Sequence, residues 1–370
     1  MGHHNHHKAH RTLQARLDQH PSGFPDTPEG MRILRLLFSE EEAEVVARMP
    51  FRPTSAGRIA ARLGRPTAPV RRLLDQMADK GLIFDIYHQK RERHYYAIAP
   101  PVVGFFEFSM MRRRSDIDQR AVAEAYEDYE NAEINLSKTL FAGDTSIGRT
   151  LVHEAAVAPD DLAELLTYER ARDVVGEAGA WGVSLCYCRH LAQHLGRACE
   201  APMDNCLSLG FGAEMLVRHG NARAIDRVEA LEILDRSRQA GLVFIGDNVQ
   251  RKLTYICSCC ACCCAQLRAI NKLGLEGAVK TSPMVATIDA SRCTGCGRCA
   301  RACPVQAIQI RPLPPHVQRK ARMYSTVDAE ACLGCGVCQP RCRKDALTMT
   351  FRGQRTLTPE GSMERLLTMA

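Results

Sequence analysis

Six cysteines fall within eight consecutive positions of the stretch ICSCCACCCAQL, residues 256–267. The six are Cys257, Cys259, Cys260, Cys262, Cys263 and Cys264. The chain holds 18 cysteines in 370 residues, its first residues lack the apolar stretch of a secretory signal, and no apolar run approaches a membrane span of about 20 residues. We therefore expect a reducing cytoplasm, where clustered cysteines are metal ligands more often than disulfides.

Eight further cysteines near the end of the chain follow one spacing twice. Each group of four has the pattern C-x2-C-x2-C-x3-C, and a proline follows only the first group. Three thiolates two residues apart in a tight turn can reach three corners of one [4Fe–4S] cube, and the fourth points towards the other cluster. Cluster A is predicted from Cys293, Cys296, Cys299 and Cys342. Cluster B is predicted from Cys332, Cys335, Cys338 and Cys303.

An internal repeat surrounds these eight cysteines. Residues 287–310 align without gaps on residues 326–349, with ten of 24 positions identical, which indicates one supersecondary unit used twice. Residues 282–350 thus resemble a two-cluster bacterial ferredoxin domain, which implies paired strand–loop–helix units, two [4Fe–4S] clusters and one-electron transfer. Zinc is the alternative, but zinc requires neither the third CxxC step nor the doubled unit. The basic linker PLPPHVQRKARMY is a candidate docking loop.

The remaining ten cysteines lie in a second block, residues 181–275. They are the run of six together with Cys186, Cys188, Cys199 and Cys206. Between the two sets, residues 230–250 are typical of a helix, a glycine turn and a strand, which would fold one set onto the other. If the run is helical, its cysteines point in at least two directions. We predict one or two further Fe–S clusters here; a zinc or copper thiolate cluster and small buried cysteines are the alternatives.

Several motifs of this block resemble a set of bacterial iron–sulfur proteins that carry a C-terminal two-cluster ferredoxin domain. The motifs are CYCRH, C…APMDNC, GLV…DNVQ and ICSCCACCC. The resemblance covers most of the chain, and it implies metallation without identifying a reaction. Arg189 and His190 follow the CxC motif and could either hydrogen-bond cluster sulfurs or form a surface pair. His194 would share a helical face with His190, which is expected to be solvated.

Residues 1–28 are predicted to be a tail, and the histidines His3, His4, His6, His7 and His10 are interpreted as part of it rather than as a metal site. Residues 29–100 predict a small α+β unit, with a helix break at Ser39–Glu40, a helix from Thr67, and a hairpin around QKRER. Helix, helix, turn, helix and basic hairpin is the order of a winged helix-turn-helix domain. Residues 101–180 are predicted to be a helical connecting region, and residues 351–370 a helical tail.

The sequence as a whole predicts an α+β multidomain protein with a winged-helix-like N-terminal domain, a mostly helical middle with a cysteine-rich metal site, and a ferredoxin-like C-terminal domain. There is no G-x-G-x-x-G or P-loop, so independent dehydrogenase activity is not expected. We expect an electron-transfer protein or an electron-relay subunit of an oxidoreductase, with redox protein partners; a homo-oligomer is left open. The catalytic residues, if any, are unknown.

The alternative function is a redox-responsive regulator that binds DNA through residues 29–100. Arg71 and Arg72 lie on the predicted third helix, and basic residues lie on the hairpin. Asp75 and Asp79 on the same helix oppose phosphate binding. The net charge of +7 is modest and does not distinguish an acidic redox partner from nucleic acid. Of the two, we expect a redox protein rather than nucleic acid.

Overall fold

The computed structural model describes residues 8–141, 146–313, 322–354, 357–362 and 364. Helices and strands are both abundant, as expected for an α+β protein. Within these residues, no helix has the length and apolar character that crossing a membrane requires.

Five helices and a hairpin form the N-terminal part. They are α1 (Lys8–Leu17), α2 (Pro28–Leu37), α3 (Glu40–Arg48), α4 (Ala56–Leu63), α5 (Thr67–Asp79), β1 (Ile83–His88) and β2 (Arg93–Ile98). The helix break expected at Ser39 is present, because Ser39 and Glu42 form a reciprocal capping box that starts α3. The strands pair antiparallel, and Thr54 bridges to Tyr96 beside them. The predicted order of helices and hairpin is observed; the assignment to the winged-helix class stays a prediction.

The tail prediction for residues 1–28 is wrong for the part that the structure describes. Leu13 and Leu17 lie four residues apart on one face of α1 and are fully buried, as is Phe24. His10 is buried too, and its Nε2 donates to the carbonyl oxygen of Phe38 at 2.9 Å. The leucine stripe therefore packs into the N-terminal core, and His10 is a structural residue. The other four N-terminal histidines lie outside the described residues.

The connecting region contains the helices that were expected, and one strand. Its elements are α6 (Phe106–Met110), α7 (Gln119–Asn131), α8 (Leu136–Phe141), β3 (Gly148–Leu151), α9 (Pro159–Leu162) and α10 (Ala171–Glu177). Helices α6 and α7 extend the N-terminal core, to which Phe106, Tyr126 and Tyr129 contribute. Strand β3 belongs instead to the central sheet, so the region is divided between two parts of the fold.

A seven-stranded sheet forms the middle of the molecule, which corrects the prediction of a mostly helical middle. Its other strands are β4 (Trp181–Leu185), β5 (Asp204–Leu209), β6 (Arg223–Ile225), β7 (Val243–Asp247), β8 (Tyr255–Cys259) and β9 (Val279–Lys280). The order is β6-β4-β5-β8-β7-β3-β9, antiparallel except for the β3–β9 pair. The strands are short, and inner strands such as β3 and β7 are buried along their whole length, so they lack the alternating pattern that marks a half-exposed strand.

Four helices connect the strands of this sheet. They are α11 (Tyr187–His194), α12 (Gly210–Arg218), α13 (Arg227–Gln239) and α14 (Ala265–Leu273). The helix, glycine turn and strand predicted for residues 230–250 are observed as α13, Gly241 and β7. Helix α11 packs against the N-terminal part of the protein, because Leu191 belongs to the hydrophobic core of that part.

The C-terminal unit consists of two similar halves. Its elements are β10 (Met284–Ile288), α15 (Arg298–Ala302), β11 (Ile308–Pro312), β12 (Met323–Val327) and β13 (Leu347–Phe351). Strand β10 pairs with β13 and β11 with β12, both antiparallel. The unit packs on the central sheet through one shared core that includes Val243, Ile245, Met284 and Met349. The docking-loop candidate lies mostly outside the described residues.

Strand β13 leads into the segment that was predicted to be a helical tail, in which the described residues Ser362 and Glu364 are helical. Beyond the strand, the carbonyl oxygens of Pro359 and Glu360 accept hydrogen bonds from the backbone of Gln250 and Arg251 at 2.8 and 3.1 Å. This part of the chain is therefore tied to the loop after β7. Residues 355–356, 363 and 365–370 lie outside the described residues, and the prediction of a helix there stays untested.

Candidate metal centres

The two cysteine turns of the C-terminal unit are built on glycines at equivalent positions. Gly295 and Gly334 lie 39 residues apart and have φ values of +65° and +71°. A Cβ atom on Gly295 would lie 2.6 Å from the carbonyl oxygen of Met323, and one on Gly334 would lie 2.1 Å from that of Met284. Both positions therefore require glycine for backbone conformation and for space.

Backbone N–H groups surround the sulfurs of this unit in a repeated pattern. Cys303 Sγ accepts a hydrogen bond from the N–H of Ala307 at 3.2 Å, and Cys342 Sγ accepts one from Ala346 at 3.3 Å. The N–H of Ser325 donates to Cys293 Sγ at 3.4 Å. Such N–H donors stabilise the negative charge of thiolates bound to a cluster and tune its potential.

One small cavity is lined by all four cysteines predicted for cluster B: Cys303, Cys332, Cys335 and Cys338. Burial raises the pKa of Cys335 to about 12, with the neighbouring Cys332 and Cys303 adding to the shift. A thiol in this position stays protonated unless a metal ion binds it, because the metal compensates the buried charge. The donor set therefore fits a [4Fe–4S] cluster.

The cysteines predicted for cluster A differ from one another in burial. Cys293 and Cys299 are buried and both contact Ser325, Cys296 is exposed, and Cys342 is half-buried. The assignment of these four sulfurs to one cluster stays a prediction.

The ten cysteines of the middle block separate into two groups. The first is the outer tetrad, formed by Cys199, Cys260, Cys262 and Cys263. All four of its sulfurs lie within 4.8 Å of one another. Cys262 is exposed and Cys263 is buried, so the tetrad lies at the surface of the sheet domain.

The second group is the inner set, formed by Cys186, Cys188, Cys206, Cys257, Cys259 and Cys264. Side-chain hydrogen bonds connect Cys188 to Cys264, Cys264 to Cys259, and Cys259 to Cys257. Cys257 in turn contacts Cys206. Burial raises the pKa of Cys186 to about 12, and Cys257 and Cys264 add to that shift. The Cys186 thiol therefore stays protonated unless a metal ion binds it.

The run of six cysteines is not a helix, which corrects the conditional assignment of its faces. Cys257 and Cys259 lie in β8 between β5 and β7, two residues apart and hence on one side of the sheet. A turn follows, in which the N–H of Cys264 donates to the carbonyl oxygen of Cys260 at 3.2 Å. The strand directs its cysteines to the inner set, and the turn directs Cys260, Cys262 and Cys263 to the outer tetrad.

Arg189 lies beside the outer tetrad and is fully buried, so the alternative of a surface pair with His190 is wrong. Its Nη2 lies 3.6 Å from Cys260 Sγ and 3.3 Å from the carbonyl oxygen of Ser258. Its Nη1 donates to the carbonyl oxygen of Pro202 and to Asn205 Oδ1. A buried guanidinium in this place offsets part of the charge of the thiolates.

The two histidines that follow have structural roles. His190 is buried, and its Nδ1 donates to the carbonyl oxygen of Met110 at 2.7 Å. The ring of His194 packs 4.8 Å from that of His190, and its Nε2 is buried without a hydrogen-bond partner among the described residues. The expectation of a solvated histidine face is therefore wrong.

Glu107 is a buried acid near the inner set that the sequence did not indicate. Its Oε2 accepts the N–H of Gly104 at 2.8 Å, and burial raises the pKa of its carboxyl to about 8, with Cys257 adding to the shift. Tyr187 contacts Cys188 and lies near Glu107 as well. Glu107 lies about 150 residues before Cys257 in the sequence, and no sequence motif contains both residues.

A cavity of about 420 Å³ separates the sheet domain from the C-terminal unit. The outer-tetrad residues Cys199, Cys260 and Cys262 line one side together with Cys259 of the inner set. The opposite side carries Cys303 with its neighbours from α15. The cavity thus brings cysteines of all three groups to one place.

One of the comparisons with known proteins gives a match. The family model described as "4Fe-4S dicluster domain" matches residues 292–346. The comparisons with curated proteins and with solved structures returned no significant match. The family match and the cysteine groups support [4Fe–4S] binding by the C-terminal unit and an iron–sulfur electron-transfer role.

Proposed function

We propose that this chain is an electron relay that connects its two ferredoxin-type clusters to an Fe–S cluster held by the inner set. When bound, the clusters supply one-electron oxidation and reduction. The protein itself positions the three cysteine groups, excludes water from the inner one, and presents the exposed Cys296 turn to a partner. The relay would serve as a subunit or partner of an oxidoreductase.

The observation that carries this proposal is the cavity shared by Cys303 and Cys259. Cys303 is a predicted ligand of cluster B, and Cys259 belongs to the inner set. The same two units also share one hydrophobic core, which contains Cys259, Cys264, Cys332 and Cys335. This shared core packs the two units against each other and so keeps the predicted centres close, as electron transfer between them requires.

Two variants of the full chain, purified without oxygen, test the route. Cys332→Ala removes a ligand of cluster B beside the cavity, and Cys296→Ala removes one of cluster A on the exposed side. Iron and sulfide counts establish that each variant lacks one cluster, or about four irons and four sulfides. Stopped-flow reduction, followed by electron paramagnetic resonance of the inner cluster, is expected to slow most in Cys332→Ala. Equal and unaltered rates in both variants would contradict the relay.

A second candidate function, DNA binding by residues 29–100, has one observation in its favour. Arg71 and Arg72 of α5 are exposed, as are Lys90, Arg91 and Arg93 on the hairpin. Asp75 and Asp79, which oppose this function in the sequence, both have partners within the chain. Asp75 pairs with Arg71 at 3.9 Å and accepts the hydroxyl of Tyr96 at 2.5 Å, and Asp79 pairs with His219 at 2.7 Å. Their charge is therefore partly compensated.

Fluorescence anisotropy with labelled duplex DNA at two salt concentrations tests this second candidate. Binding that weakens in salt and is lost in Arg71→Glu and Arg93→Glu would support a regulator. Arg35→Glu is the matched control, because Arg35 is exposed on α2, away from α5 and the hairpin. Absence of binding in the oxidised and the reduced protein would remove the candidate.

A further inference from the structure

We propose that the outer tetrad holds a single metal ion in tetrahedral thiolate coordination, and not an Fe–S cluster. The inference goes beyond the electron relay and does not rest on it. It also divides the ten middle cysteines between two kinds of site, where the sequence predicted Fe–S clusters for all of them.

The distances between the sulfurs carry the proposal. Cys199 Sγ lies 3.6 Å from Cys260 Sγ and 4.0 Å from Cys263 Sγ, and the sulfurs of Cys262 and Cys263 are 3.7 Å apart. Four thiolates around one Zn²⁺ with bonds of about 2.3 Å form a tetrahedron with edges of about 3.8 Å. These three separations match that edge, and the other three pairs of sulfurs lie within 4.8 Å of each other.

A four-iron cube requires a wider arrangement, because each cysteine sulfur binds a different corner iron and lies beyond it. The ferredoxin cysteines of the same chain provide the comparison. Within the described residues, which include all eight of them, the outer tetrad is the one group of three or more candidate ligands whose atoms lie mutually within 4.8 Å. The sulfurs of the inner set, all of them in the described part of the chain, contact one another in pairs, but no three of them lie mutually within 4.8 Å.

The local backbone explains how neighbouring cysteines reach one ion. The turn between β8 and α14 is closed by the hydrogen bond from Cys264 to Cys260, which folds Cys262 and Cys263 back beside Cys260. The fourth ligand, Cys199, comes from the loop after α11. One ion would therefore tie two separate segments together at the entrance of the shared cavity, as closed four-coordinate structural sites do.

The charge of such a site is partly balanced by the protein. Four thiolates and one divalent ion carry a net charge of about −2, and Arg189 places a buried guanidinium 3.6 Å from Cys260 Sγ. An all-thiolate tetrahedral set selects Zn²⁺ or a single iron ion among the common metals. Both ions satisfy the proposal, and the experiment below distinguishes them.

The test compares full-length Cys199→Ser and Cys262→Ser with the wild type, all purified without oxygen, by elemental analysis and acid-labile sulfide. Each variant is expected to lose about one metal ion and no sulfide. Loss of zinc identifies a zinc site, and loss of one iron without sulfide identifies a mononuclear iron site. Cys296→Ala is the matched control and should lose about four irons and four sulfides.

Two results would overturn the proposal: loss of several irons with sulfide in the Cys199→Ser and Cys262→Ser variants, or metal contents equal to those of the wild type. A second measurement on the wild-type chain covers the case of variants that do not fold. X-ray absorption at the edge of the non-cluster metal should show four sulfur neighbours at about 2.3 Å and no metal neighbour. A short metal–metal distance there would contradict a single ion.

Discussion

Gly334→Ala offers a quantitative test of the way in which the second cysteine turn is built. The residue has φ of +71°, and an added Cβ would lie 2.1 Å from the carbonyl oxygen of Met284 and 2.2 Å from Ser282 Oγ. A left-handed conformation costs an alanine about 1–2 kcal/mol. Forcing the extra carbon into packed backbone adds about 1–3 kcal/mol, as overpacking does elsewhere. The total expected loss is about 2–5 kcal/mol, by summing these two costs.

The matched control is Gly353→Ala. Gly353 has φ of +77°, but an added Cβ there would lie within 4 Å of no atom of the described residues other than its chain neighbours, so only the conformational cost of about 1–2 kcal/mol is expected. Anaerobic denaturant unfolding of both variants gives the free energies of unfolding, and iron counts show whether cluster B is retained. If both alanines lower stability equally, or if Gly334→Ala keeps full stability and iron, the backbone argument for this turn is refuted.

Three further predictions concern other parts of the molecule. Arg189→Gln should lower the free energy of unfolding by about 3–5 kcal/mol, because it leaves buried thiolates without their cation. A decrease of about 0.5 kcal/mol or less, as is usual for surface substitutions, would contradict this role. Burial lowers the pKa of His219, but its hydrogen bonds to Asp85 and Asp79 outweigh burial and raise it above 6.5. The resulting stability is present below pH 6.5 and should be lost as pH rises through the raised pKa, and His219→Gln should flatten that part of the unfolding profile. Leu13→Ala should cost about 2–5 kcal/mol in thermal or denaturant unfolding, whereas a tail residue would cost nothing.

Local signals in the sequence were sufficient for the elements that depend on neighbouring residues. The repeated cysteine spacing predicted the paired turns of the C-terminal unit, and Ser39 with Glu42 marked the start of α3. The hairpin and the α13–β7 segment are likewise encoded by short patterns of turn and apolar residues. In each case the decisive contacts lie within a few residues of one another.

Long-range contacts account for what the sequence did not reveal. The central sheet joins β3 to β9, about 130 residues later, and its strands are too short and too buried to show alternation. The helical interpretation of the cysteine run failed because β8 is fixed by its pairing with β5 and β7. Leu13 and Leu17 were assigned to a tail because the partners that bury them come later in the chain. Arg189 gave no sign of burial, since only the fold brings Cys260 to it.

Helix α7 of the N-terminal core forms ion pairs with two segments that carry cysteines of the middle block. Glu127 of α7 pairs with Arg197, two residues before Cys199 of the outer tetrad. The same carboxylate accepts two hydrogen bonds from Arg268, at 2.8 and 3.1 Å, four residues after Cys264 of the inner set. One carboxylate thus holds the two segments that deliver ligands to both groups, and its half-buried position makes these pairs stronger than exposed ones. Any shift of α7 must therefore move both segments, so the spacing between the two centres is set in part by the N-terminal core.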